Sequence, residues 1–116
     1  MSQLPAGLEL DTVTGLEFCA ESEEVYLEIL NEYMNDDRRD ELNAFFRDRN
    51  WERYRISAHA VKSSSQTIGA TDLYEIARAI EEPLKDMDFG PALDLHEAFI
   101  EKYTYILDML HRVLDA

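Results

Sequence analysis

Asn50-Trp51-Glu52-Arg53-Tyr54-Arg55-Ile56-Ser57-Ala58-His59-Ala60-Val61-Lys62-Ser63-Ser64-Ser65-Gln66-Thr67-Ile68-Gly69 is a helix written between its two stops. Asn50 is a good N-cap, because its short side chain can accept from the first orphan backbone N–H groups. Gly69 is the residue type that closes a helix after its last turn. Between them, Trp51, Tyr54, Ala58, Val61, Ser65 and Ile68 recur in steps of three and four. That is a heptad-like seam of the kind that packs antiparallel bundles. At about 100° per residue, His59 lies roughly 130° from the middle of the seam and faces outward. Arg55, His59, Lys62, Ser63 and Gln66 form a polar stripe on that outer face.

The rest of the chain extends the same period. Asp11 to Phe18 predicts a short N-terminal helix, despite Gly15. Ser22 opens a second helix with Val25, Tyr26, Ile29, Leu30 and Tyr33 as its apolar positions, interrupted at Asn35-Asp36-Asp37. Leu42, Phe45 and Phe46 mark a third, ending near Asn50. After Gly69, Asp72 and Glu75 form a capping pair for a helix with the stripe Leu73, Ile76, Ala77, Ile80 and Leu84. Pro83 is expected to kink or end it. Asp88-Phe89-Gly90 is a loop, and Pro91 suits the first turn of a last helix striped by Leu93, Ile100, Tyr103, Leu107, Leu110 and Leu114. No alternating strand segment competes. The expectation is all-α: an antiparallel four-helix bundle with an additional short N-terminal helix, as one domain over residues 1–116.

Charge narrows the partners. The 116 residues carry a net charge of −14. Residues 1–37 hold ten acids and no Lys or Arg, and residues 63–116 are net −7. Residues 38–62, leading into His59, are net +3. Bulk acidity argues against nucleic acid and anionic membrane. No apolar run reaches the roughly 20 residues of a membrane span, and Met1-Ser2-Gln3-Leu4-Pro5 does not open a signal peptide. The single cysteine, Cys19, fits a small core residue and a reducing cytoplasm.

An outward imidazole is a nucleophile at neutral pH. Lys62 beside it can offset charge on phosphoryl oxygens, and Gln66 can hydrogen-bond them. Ser63 leaves room for a donor to approach. Ile56, about 60° from His59, is an exposed apolar contact for a protein partner. The chain has no Gly-rich nucleotide loop and no evident acidic metal triad, so ATP chemistry of its own is not expected. A metal site built on His59, His96 and His111 is disfavoured, because none has a Glu three residues earlier and only Asp108 precedes His111 at that spacing. His96 and His111 read as ordinary residues of the last helix.

Trp51-x-x-Tyr54, Ala58-His59-Ala60-Val61-Lys62-Ser63-Ser64-Ser65, Ile68-Gly69-Ala70, Leu73 and Ile80-Glu81 together resemble the signature of histidine-containing phosphotransfer (HPt) domains, over residues 51–81. These are modules of bacterial, plant and fungal phosphorelays. The resemblance implies that His59 is the phosphoacceptor, through Nε2, with Lys62 the lysine beside it. Gln66 matches a small or polar position on the same face, Gly69 the closing glycine, and Glu81 the acid after the next stripe. Ser63 departs from the glycine of many members and alters the hydrogen bonding open to a phosphoryl group. The implied activity is that of a phosphocarrier without kinase or ATPase activity. It takes a phosphoryl group from a receiver-domain aspartate and passes it to another receiver. No cofactor is implied for this chain, with Mg²⁺ on the receiver. Partners are the receiver domains of a hybrid sensor kinase or a response regulator, and a cytoplasmic monomer is expected. The alternative is a helical adaptor that binds a receiver or kinase without being phosphorylated. It would keep its partner after loss of His59.

Overall fold

The computed structural model describes residues 2–115, so the part of the single-domain expectation that falls on Met1 and Ala116 lies outside it. Six α-helices account for its regular structure: α1 (Thr12–Phe18), α2 (Glu23–Asn35), α3 (Arg39–Arg47), α4 (Trp51–Ile68), α5 (Thr71–Lys85) and α6 (Gly90–Leu114). No strand occurs among the described residues, and the all-α expectation holds. None of these helices is long and apolar enough to cross a membrane.

Helix α4 is the organising element. Asn50 caps it by accepting from the Arg53 amide at 3.3 Å. Gly69 ends it in the left-handed region at φ 83°. The Ala70 amide reaches back to the Ser65 carbonyl at 2.9 Å and the Gly69 amide to Gln66 at 3.2 Å, a Schellman closure. The seam is buried as the spacing predicts: Tyr54, Ala58, Val61, Ser65 and Ile68 are inaccessible, while Trp51 is half-buried and stacks on Phe89. Packed on α4 are α5, α3, α1 and α2. Helix α6 closes against α5, α3 and α2.

Three tyrosines bind the layers with hydroxyls as well as rings. Tyr26 donates to the Ile68 carbonyl at 2.7 Å, and Tyr33 pairs with the buried Ser65 hydroxyl at 2.9 Å. These bonds attach α2 to the last turns of α4. From α6, Tyr103 accepts from the Arg38 amide and donates to the Asp36 carbonyl, which clamps the turn between α2 and α3. Gly15 explains why α1 tolerates a glycine: a Cβ there would meet the Tyr26 ring, at 2.7 Å from Cζ.

Three sequence expectations change. Val25 and Leu93 are exposed rather than core. In α2 the buried line is Tyr26, Leu30 and Tyr33, and Val25 falls about 100° to its side. In α6 the buried line begins Ala92, His96, Phe99 and Tyr103, so a polar residue carries the seam and hides its phase from an apolar count. Asp72 and Glu75 do not form a capping pair: Ala70 occupies the cap position, and no side chain caps α5. The Ala70 amide is already used in closing α4, so the connection has no room for a capping box. Asp72 instead lies in the first turn, 3.8 Å from Lys102, and Glu75 pairs with Arg78. Pro83 lies inside α5, which ends two residues later at Lys85.

A Gly69→Ala substitution combines left-handed strain with a collision against the Asp11 backbone. It should lower stability by at least about 2 kcal/mol, measured by urea unfolding.

Candidate functional site

The outer face of α4 meets one turn of α5 at a buried acid. Glu81 follows Ile80 in α5 and its side chain has no exposure to solvent. Around it converge four groups. His59 Nδ1 and Lys62 Nζ each approach at 3.1 Å, on separate carboxylate oxygens. Lys85 Nζ lies at 3.7 Å and Arg55 Nη1 at 3.9 Å. Burial pushes the Glu81 carboxyl pKa up. The hydrogen bond and charge of Lys62, the charge of Lys85 and the hydrogen bond from His59 outweigh it, and the pKa lies below the ordinary carboxylate value.

Glu81 is therefore an ionised, acceptor-only group at neutral pH. The hydrogen bond to His59 then requires a proton on Nδ1, and in the neutral ring this puts the lone pair on Nε2. The His59 side chain is 54% exposed. Nδ1 is held inward against α5, so the Nε2 edge is the one open to solvent. One buried carboxylate thus sets the orientation and the tautomer together.

The predicted stripe is present but splits by function. His59, Ser63 and Gln66 are exposed, and Ile56 beside them is 54% exposed. Lys62 and Arg55 lean towards Glu81, and only 15% of the Lys62 side chain meets solvent. Lys62 joins the site through that carboxylate rather than as a free surface ammonium. Gly69 sits a full turn beyond Gln66 and acts on the site only by ending α4.

Sequence reasoning placed Glu81 at the end of a stripe without seeing that it underlies His59. A signal existed: Glu81 is four residues after buried Ala77, hence about 40° from it and about 70° from the middle of the buried line. Lys85, one turn further, completes the cluster. His96 was also missed as a buried group. It is 8% exposed, stacks on Phe46 at 3.9 Å, accepts from the Tyr54 hydroxyl at Nδ1 and donates from Nε2 to Asn43. Burial first, and the Arg49 charge second, hold its pKa below the usual imidazole value. His111 pairs with Asp115 at 2.7 Å, so the three histidines occupy three separate settings.

The described residues thus form an all-helical domain that presents an oriented imidazole from a polar helix face. The chain belongs to the Hpt domain family, whose model matches residues 16–116. No curated protein and no solved structure matched the chain. Hpt domains serve histidine phosphotransfer in phosphorelays, act with receiver domains, and are phosphocarriers without catalytic activity of their own.

The His96 network carries a pH dependence. Its folded pKa is depressed, so its contribution is complete above about pH 6.5 and is lost as pH falls through the folded value. Urea midpoints should therefore drop between pH 7.5 and 5.5, above the range where Glu81 protonates. In a His96→Gln variant that drop should shrink.

Proposed function

We propose that His59 accepts a phosphoryl group from the aspartyl phosphate of one receiver domain and passes it to the aspartate of another. The observation that carries this reading is the outward Nε2, fixed by the Nδ1–H bond to Glu81. In the forward step the acyl-phosphate O–P bond breaks and an Nε2–P bond forms. The electron pair of the broken bond returns to the aspartate carboxylate, and the Nδ1 proton stays in place. The imidazole ring then carries a positive charge, which the carboxylate of Glu81 offsets. Transfer onward reverses these changes, so the ring needs no external base in either direction.

Lys62 acts by sharing Glu81, and Gln66 and Ser63 lie within the surface that meets the phosphoryl group. Ile56 and Arg55 belong to the docking surface. Mg²⁺ is supplied by the receiver, and this chain brings no cofactor. The supporting scaffold is read as one domain over residues 1–116, an antiparallel four-helix bundle. In it α4, α5 and α6 fill three positions, α2 and α3 in tandem fill the fourth, and α1 is additional. The backbone spacing supports this, since among the described residues no Cα of α5 lies within 8 Å of one in α2 or α3, as expected of a diagonal pair. The protein works as a cytoplasmic monomer.

Incubation with phosphorylated receiver domains and Mg²⁺ should label the protein with acid-labile phosphate. His59→Gln should take none; label retained by that variant would sink the assignment. Glu81→Leu should slow labelling about tenfold, through loss of both tautomer and orientation. Glu81→Gln, whose amide oxygen still accepts from Nδ1, should fall between.

A further inference from the structure

The two sides of the His59 ring face different chemistry. On an ideal helix Lys62 lies about 60° and Arg55 about 40° to one side of His59, while Ser63 lies about 40° and Ile56 about 60° to the other. Both cations reach Glu81, so the side of Lys62 and Arg55 is the side of α5 and of Nδ1. Nε2, on the opposite edge of the ring, is directed to the side of Ser63. Side chains four residues apart are neighbours, and a helical side chain leans back over the preceding turn. The Ser63 hydroxyl therefore inclines towards the place a group on Nε2 would occupy.

That hydroxyl is available. Ser64 returns its own to the Ala60 carbonyl at 2.9 Å, and Thr67 returns its own to the Ser63 carbonyl at 3.0 Å. Ser63 is exposed, and its Oγ makes no hydrogen bond among the described residues. The cations that would otherwise meet a phosphoryl dianion are drawn to the other edge by Glu81.

We infer that Ser63 donates a hydrogen bond to a phosphoryl oxygen of phosphorylated His59, on the Nε2 side of the ring. This rests on the phosphocarrier reading above. A donor aimed at the phosphoryl oxygens favours their dianionic form. Removing it raises the pH at which the phosphoryl group takes up a proton. A role confined to helix packing would leave that pH unchanged.

The test uses phosphoramidate, a small N–P donor, to phosphorylate the full chain, and follows the ³¹P resonance of the product against pH. Ser63→Ala and Ser63→Gly should each raise the titration midpoint by about half a pH unit, a threefold gain in proton affinity. Ser63→Thr, which keeps the hydroxyl, should restore the wild-type midpoint. Coincident midpoints in wild type, Ser63→Ala and Ser63→Gly would overturn the inference while leaving His59 as the carrier. Wild-type protein that takes no phosphate on His59 from phosphoramidate or from any phosphorylated receiver would overturn both.

Discussion

A carboxylate shut away from water must be neutralised by its neighbours, and in this fold that requirement organises the working surface. Glu81 is fully buried yet ionised, because Lys62, Lys85, Arg55 and the Nδ1–H of His59 surround it. Removing the partners would strand a buried charge, and removing the carboxylate would leave the nearly buried Lys62 without its counter-ion. The cluster therefore joins α4 to α5 and aims the imidazole at once. Helix packing and ring orientation share one contact, so the ring edge left open to solvent is decided by the packing beneath it.

Precision at that contact depends on the register of α4 against its neighbours. Gly69 fixes where α4 ends, and the Asp11 amide donates to its carbonyl at 2.8 Å. Tyr26 and Tyr33 hold the last turns from α2, and Tyr103 holds the turn leading into α3. At the opposite end, Tyr54 ties the first turns to His96 of α6. Hydroxyls inside a hydrophobic core are directional where methyl groups are not, so a slip of one residue would orphan several of them. Helix α5 is set against the same face by the buried line Leu73, Ala77, Ile80 and Leu84.

Much of this was legible in the residues. The seam from Tyr54 to Ile68 gave the outward direction of His59 because local period alone decides it. Asn50 and Gly69 marked the ends of α4 through chemistry that is also local. What stayed hidden depended on partners far along the chain. Glu81 lies 22 residues beyond His59, and nothing in α4 announces that an acid of α5 will face it. His96 concealed the phase of α6, since a histidine satisfied by Tyr54 and Asn43 counts as polar in a pattern but sits in the core. Val25 and Leu93 were misjudged for the complementary reason: apolar residues beside a seam look like members of it. The capping pair at Asp72 failed because Ala70 was committed to the preceding helix, a conflict between neighbouring motifs that each looks sound alone.

Phosphorylating the protein with its two His59 ring nitrogens labelled with ¹⁵N, and reading both by NMR, reaches the central claim most directly. If Glu81 holds the ring as described, the one-bond ¹⁵N–³¹P splitting falls on Nε2 while Nδ1 keeps a directly bonded proton. A splitting on Nδ1, or an Nδ1 without its proton, would contradict it.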